Sequence, residues 1–166
     1  MTDADSQEPV FRLLADPATF GGAAVRRIDT HAASVFLAGD RALKVKRAVR
    51  FPFLDYSTLA KRKAACAAEI EVNRPFAPQL YRGIVPIVRA AGGRLALAGE
   101  GTPVEWAVDM RRFDETRTLD RLADRGEIDP TLADRLARAV AAAHGRAPAV
   151  EAAPWLAALA DFLDQN

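Results

Sequence analysis

The sequence predicts an α+β fold in which antiparallel strands and one long helix are followed by helices alone. Three observations support this prediction. The length of 166 residues suits one domain, or one lobe of a larger protein. Strand-like alternation with hairpin signals extends from Ala24 to Met110 and is interrupted by one long helical segment. From Thr118 onward, apolar residues recur only with a helical period.

The composition excludes several classes of protein. Half of the residues are hydrophobic and 27% are charged, which provides enough apolar surface for a core and excludes a wholly disordered chain. The formal charge is +1, from 23 Lys and Arg against 22 Asp and Glu. A chain with so little net charge lacks the strong positive charge that favours binding to nucleic acid or to a membrane surface. The first residues are acidic and polar, unlike a secretory signal. We therefore expect a soluble cytoplasmic protein.

A short helix and a first strand open the predicted order of elements. The apolar pattern of residues 10–14 indicates the helix, and Pro17 ends it. From Ala24 the pattern becomes strand-like. We therefore expect a tail and short helix over residues 1–23, ahead of a first lobe over residues 24–113.

A β-hairpin is predicted next. Residues 34–38 and 42–46 are both strand-like. Gly39 and Asp40 form a two-residue loop between them if Ala38 pairs with Arg41. Glycine favours a tight turn here because it adopts positive φ without a steric penalty. A two-residue loop also fixes which residues face each other across the hairpin.

The predicted register gives one face of this hairpin an apolar surface that ends in a cation. Val35 pairs with Lys44 and Leu37 pairs with Ala42, so the four side chains share a face. Such a face offers flat apolar contact for a base and a compact positive charge for phosphate oxygens. The alternative is an amphipathic strand whose lysine only meets water.

A long helix is predicted from Thr58 to Arg74, with Ser57 as its N-cap. On a helical wheel, Glu69 lies at the border of the apolar stripe and Glu71 points away from it. Glu69 is therefore the carboxylate that can turn toward the sheet and fix a lysine. The alternative is that Glu69 remains solvated or pairs within its own helix.

Further strands complete the expected sheet. Residues 81–88 form a strand that Pro86 restricts to an edge position or a bulge, because proline lacks the amide that a ladder needs. Residues 94–98 follow through a glycine turn as the second strand of a hairpin, and residues 104–110 alternate as a strand. Helices alone are expected from Thr118 onward.

Several sequence blocks together carry a family resemblance. They are Ile28-Asp29-Thr30-His31, Val35-Phe36-Leu37, Lys44-Val45-Lys46, Phe53 to Leu59, Glu69 to Asn73, Ala77-Pro78, Val85-Pro86-Ile87 and Trp106 to Phe113. In combination they resemble the aminoglycoside phosphotransferase-like family, in the bacterial branch whose members often continue into a P-loop ATPase domain. The resemblance spans about residues 24–148. It implies a protein-kinase-like fold: an N-lobe of antiparallel sheet and one packed helix, a hinge, and a helical C-lobe, truncated here to residues 114–166.

The resemblance also implies which residues bind ATP. Lys44 is similar to the lysine that binds the nucleotide phosphates, Ala42 to the alanine that covers the adenine, and Glu69 to the helix glutamate that pairs with the lysine. Residues 30–34 correspond to the loop over the phosphates, and residues 110–113 to the hinge, whose backbone would bind the adenine edge. The expected nucleotide-binding residues are Lys44, Glu69, Ala42, Val35, Ser34, Met110, Arg111 and Phe113.

The sequence departs from the family at the catalytic loop. Phosphoryl transfer there needs a His-Gly-Asp loop with a downstream Asn, and a second Asp that holds magnesium. The segment His144-Gly145-Arg146 supplies only the first two residues, and arginine accepts no proton from a substrate hydroxyl. We therefore expect no catalytic residue in this chain, no activity from the chain alone, and magnesium binding only together with the missing C-lobe.

Two functions remain open at this stage. The first is the nucleotide-binding part of a small-molecule phosphotransferase, partnered by a separate catalytic half or by a second copy that covers apolar surface left exposed. The second is a non-catalytic, pseudokinase-like scaffold or interaction module. The two differ in whether Lys44→Ala weakens nucleotide binding.

Five basic residues between positions 47 and 63 form a region that could contact nucleic acid. Its members are Arg47, Arg50, Lys61, Arg62 and Lys63. Neither interleaved aromatic residues nor a net basic charge accompany these side chains. We therefore interpret the region as a solvated surface and expect no nucleic-acid partner.

Overall fold

The computed structural model of the chain describes residues 6–149 and 151–164. Between Glu115 and Thr116 the chain divides into two compact units. The described strands all belong to the first unit, and the described part of the second unit is helical. This arrangement confirms the predicted α+β class. The division lies two residues beyond the expected boundary at Phe113, and the first five residues of the expected N-terminal tail lie outside the described residues.

The strands of the first unit are β1 to β8 in chain order. Their bounds are Val25–Asp29, Ala33–Ala38, Arg41–Lys46, Arg50–Phe51, Leu54–Asp55, Tyr81–Arg89, Leu95–Leu97 and Thr102–Arg111. The α-helices α1 to α5 are Glu8–Ala15, Leu59–Asn73, Leu119–Asp124, Pro130–Arg146 and Ala153–Asp164, and 3-10 turns cover Pro17–Phe20 and Glu115–Arg117.

Six strands form an antiparallel sheet in the order β1-β2-β3-β8-β6-β7. The predicted hairpin is β2 and β3, and its turn places Gly39 at a φ of 55°, the positive value that favours glycine. Val35 lies opposite Lys44 and Leu37 lies opposite Ala42, which confirms the predicted register. The two-residue strands β4 and β5 form a separate ribbon that is too short to show alternation in the sequence.

The proline of β6 lies next to an irregularity of the sheet, as its missing amide predicts. The register between β6 and β8 shifts between Ile87 and Val88, one residue beyond Pro86, and also between Tyr81 and Gly83. The neighbouring strand β7 pairs with β6 only over residues 87–89. Pro86 therefore lies outside the residues of β6 that pair with β7, although β6 is not an edge strand along its whole length.

Helix α1 packs in the same core as the sheet. The fully buried side chains Leu14, Phe36, Leu43 and Val45 belong to one apolar cluster with Val10 and Phe11. Leu43 and Val45 alternate along β3 with Lys44 and Lys46, so one face of β3 meets this cluster and the other face carries the two lysines. The segment expected as a separate tail and helix is thus part of the first unit from α1 onward.

Helix α2 begins one residue later than predicted. The Thr58 hydroxyl accepts a hydrogen bond from the Lys61 amide at 3.3 Å, so Thr58 is the N-cap and the assignment of Ser57 was wrong. Ser57 instead donates its hydroxyl to Asp55 Oδ1 at 2.6 Å. Because the Ser57 hydroxyl is bound to Asp55, the Thr58 hydroxyl caps the helix instead.

The second unit consists of helices α3, α4 and α5. Asp129 caps α4 by accepting a hydrogen bond from the Leu132 amide at 2.6 Å, and Pro130 occupies its first turn. His144, Gly145 and Arg146 form the last turn of this helix, not a catalytic loop. Many apolar side chains of the unit are exposed, among them Leu136, Val140, Trp155, Leu156, Leu159 and Leu163. Within the described ranges, no helix has the length and apolar character needed to cross a membrane.

Candidate functional site

The central feature of the candidate site is an ion pair between Lys44 of β3 and Glu69 of α2. The Lys44 Nζ atom donates to Glu69 Oε1 at 3.0 Å. Helix α2 packs across β8, β6 and β3, which brings its Glu69 over the lysine-bearing face of the sheet. The structure thus selects the inward orientation of Glu69 over a solvated side chain or a partner in its own helix.

A second lysine, Lys46, also binds Glu69. Its ammonium donates to Glu69 Oε2, the oxygen that Lys44 does not use. The Lys46 side chain is only 9% exposed, and its Nζ lies 5.5 Å from the centre of the Tyr56 ring. This role of Lys46 was not predicted from the sequence, although residues two apart on a strand share a face and the spacing could have indicated it.

The charges of this cluster stabilise one another. Burial opposes ionisation of Glu69, but the hydrogen bonds and charges of Lys46 and Lys44 outweigh it, so the pKa of Glu69 lies below its ordinary value. Burial likewise disfavours the charged form of Lys46, yet its bond to Glu69 raises the pKa of Lys46 above the ordinary value. Glu69 and Lys46 are therefore both charged at neutral pH.

An apolar cleft of about 380 Å³ opens beside Lys44. Residues from β2, β3, the end of β8 and the segment after it line the cleft, including Val35, Leu37, Ala42, Lys44, Met110 and Phe113. The face predicted from the hairpin register is thus one wall of the cleft, and Lys44 is the cation at its end. The Lys44 side chain is 31% exposed, which leaves its ammonium accessible to a ligand.

Residues at the end of β8 and just after it form another part of the rim of the cleft. Met110 and Arg111, the last two residues of β8, and Phe113 all line it. The Arg111 amide donates to the Leu80 carbonyl, and the Arg112 amide donates to the Asp40 carbonyl, each at 2.7 Å. These two amides are therefore engaged within the chain.

Ser34 lies apart from the cleft. Its side chain is fully buried and donates its hydroxyl to Asp29 Oδ1 at 2.7 Å. This hydrogen bond lowers the pKa of Asp29. Of residues 30–34, which were compared with the loop over the phosphates, Thr30 and Ala33 line the cleft. The alternation of β2 explains the difference, because Val35 faces the cleft and its neighbour Ser34 must face the other way.

A buried polar network at the other end of α2 was not predicted from the sequence. Arg62 donates through Nε to both oxygens of Glu105, each at 2.9 Å, and both residues are almost completely buried. The Gln7 side-chain amide donates to Glu105 Oε2 at 2.7 Å and to the Lys46 carbonyl at 2.8 Å. The network connects the residues before α1 with β3, β8 and α2.

The members of the basic region do not all lie on one surface: Arg50 and Lys61 both pair with Asp55, but Arg62 is buried. Arg62 is buried against Glu105, Lys61 donates to Asp55 Oδ2 at 2.6 Å, and the Lys63 ammonium lies 4.4 Å from the centre of the Trp106 ring. Consecutive residues of a helix point about 100° apart, which separates these three side chains. The interpretation of the whole region as one solvated surface was therefore wrong for Arg62.

Comparison with known proteins adds relatives whose function is not described. Over 119 residues, 72% of this chain, it is 35% identical to uncharacterized proteins of Mycobacterium tuberculosis and Mycobacterium bovis. The matched segment is 22% of the length of each relative, so the chain spans about a fifth of these curated proteins. No family model matches the chain. No solved structure matches it.

Proposed function

We propose that the first unit binds ATP, as the nucleotide-binding part of a small-molecule phosphotransferase of the aminoglycoside phosphotransferase-like family. The observation that carries this proposal is the Lys44–Glu69 ion pair at the end of the apolar cleft. In protein kinases, a strand lysine fixed by a helix glutamate is the group that contacts the nucleotide phosphates. An antiparallel sheet with one helix packed over that lysine is consistent with a protein-kinase-like N-lobe.

The apolar walls of the cleft suit an adenine ring. Val35, Leu37 and Ala42 provide a flat aliphatic surface on one side, and Met110 lies on β8 directly opposite Ala42. The volume of about 380 Å³ falls within the range of small-molecule sites. An adenine placed here would be held by contact with apolar atoms, and polar groups at the rim would fix its orientation.

The rim after β8 offers a backbone donor for the adenine edge. The amides of Arg111 and Arg112 donate within the chain, as described above. For the Phe113 amide, the described residues provide no backbone or side-chain acceptor. Phe113 also lines the cleft, so its amide is the donor that we assign to the adenine.

The polar end of the cleft suits phosphate oxygens. Lys44 carries a compact positive charge there, and Glu69 holds its ammonium in place from the helix side. Bound ATP would supply a phosphoryl group for transfer. In this chain, the residues named here only bind and orient the nucleotide, and we assign the catalytic base, the magnesium ligands and the acceptor site to other parts of the whole protein.

Calorimetric titration of ATP with magnesium into the chain tests the proposal. We expect saturable binding that Lys44→Ala weakens at least about tenfold, equivalent to about 1.4 kcal/mol. Lys61→Ala is the matched control, because Lys61 is an exposed lysine whose ammonium pairs with Asp55 near the start of α2. Binding that is absent, or that both variants retain equally, would contradict the proposal and favour a scaffold without nucleotide chemistry.

A further inference from the structure

The sharing of one carboxylate by two lysines distinguishes this cluster from a simple ion pair. Glu69 presents one oxygen to Lys44 and the other to Lys46. The two lysines are two residues apart on β3, which places both on the face that α2 covers. Two positive charges meet one negative charge, so the cluster carries a net charge of +1.

The two lysines differ in what else they contact. Lys44 is accessible and lines the apolar cleft, whereas Lys46 is almost completely buried under the Tyr56 ring and does not reach the cleft. Both lysines line a second, shallower hollow of about 460 Å³, to which Asn73 and Tyr81 also contribute. Lys44 and Tyr81 are common to the cleft and the hollow, so the two depressions adjoin each other at Lys44.

This arrangement matters when Lys44 engages an anion. If Lys44 were the only partner of Glu69, a phosphate that drew the Lys44 ammonium away would leave a carboxylate that is only 11% exposed without a cation. Leaving a desolvated charge unpaired is costly. Lys46 removes this cost, because it remains bound to the other oxygen of Glu69.

We propose that Lys46 is a positioning residue of the nucleotide site: it keeps Glu69 paired and supplies the net positive charge that attracts phosphates to Lys44. This inference rests on the function proposed above. Lys44 and Lys46 together would then make the site prefer phosphorylated ligands to unphosphorylated ones. Lys46 itself need not touch the ligand, since its effect passes through Glu69 and through the local potential.

A titration series over adenosine, AMP, ADP and ATP tests the inference with Lys46→Met and Lys46→Arg in the full chain. For Lys46→Met we expect adenosine affinity to stay within about twofold of wild type and ATP affinity to fall about tenfold. Lys46→Arg keeps the charge and a donor to Glu69, so we expect it to restore ATP affinity to within about threefold of wild type.

The outcomes separate this inference from the function on which it rests. If wild type binds no member of the series, the proposed function fails and the role of Lys46 fails with it. If wild type binds ATP and Lys46→Met binds it equally well, only the role of Lys46 is overturned. An equal loss of adenosine and ATP affinity in Lys46→Met would show a general structural defect and would also overturn the inference, as would failure of Lys46→Arg to restore binding.

Discussion

Glu69 of α2 lies within hydrogen-bond distance of Lys44 of β3, at 3.0 Å, although 25 residues separate them in the sequence. The contact joins the helix to the strand at the end of an apolar cleft. The same carboxylate also binds Lys46, so a single side chain of α2 organises the positive charge of this face of the sheet.

Replacement of Glu69 should destabilise the first unit. Glu69→Gln removes the charge that two lysines share and leaves the nearly buried Lys46 without an anionic partner, so we expect a loss of about 1–3 kcal/mol in the free energy of unfolding. Urea denaturation measures this loss. Glu71→Gln is the matched control, because Glu71 is an exposed residue of the same helix and should change stability by less than about 0.5 kcal/mol. Equal effects of the two variants would contradict the assigned role.

The contribution of Glu69 should disappear in acid. Its pKa lies below the ordinary value of 4.5, so its ionised form is preferred in the folded protein. The resulting stabilisation is complete above the unfolded-state pKa and is lost as the pH falls through the lower folded-state pKa. We therefore expect the stability difference between wild type and Glu69→Gln to be constant from pH 6 to 7 and to shrink below about pH 4.5. A difference that grows on acidification would contradict this sign.

The buried Arg62–Glu105 pair should tolerate loss of both partners better than loss of one. Glu105→Gln leaves the Arg62 guanidinium buried without an anion, and we expect it to cost about 3–5 kcal/mol. The double variant Arg62→Met with Glu105→Met removes both charges and should recover part of that loss. Denaturation of the single and double variants measures the coupling. Strictly additive losses would show that the two residues act independently.

Helix α1 should contribute to the stability of the sheet. Leu14 is completely buried in the cluster that contains Phe36 and Leu43, so Leu14→Ala should cost about 2–5 kcal/mol. Val72→Ala is the control, since Val72 is exposed on α2 and its truncation should have little effect. If Leu14→Ala unfolds at the same urea concentration as wild type, α1 does not belong to the cooperative unit.

Much of the sheet follows from local sequence. The register of β2 with β3 depends on the short turn at Gly39 and Asp40 and on alternation, and both are visible in the sequence. The position of Glu69 at the border of an apolar stripe likewise indicated that it could turn toward the sheet. These features require no knowledge of distant parts of the chain.

Other features depend on tertiary packing and could not be derived in this way. Arg62 and Glu105 are 43 residues apart in the sequence. Their pairing requires that α2 pack against β8 in one particular position along the strand. Ser34 was expected beside the phosphates, yet alternation with Val35 turns it to Asp29. Ser57 and Thr58 both have a hydroxyl that could cap α2. Thr58 is the cap because the Ser57 hydroxyl is bound to Asp55, and the sequence does not show that contact.

In the proposed function, one cleft holds the base at its apolar end and the phosphates at Lys44. The most direct test compares the affinities of adenosine and ATP, with magnesium, for wild type, Ala42→Phe and Lys44→Ala by calorimetry. Ala42→Phe fills the apolar end, so we expect at least a tenfold loss for both ligands, whereas Lys44→Ala should weaken ATP and leave adenosine within about twofold. Unchanged binding of both ligands in Ala42→Phe, or equal loss of both in Lys44→Ala, would contradict the proposed nucleotide site.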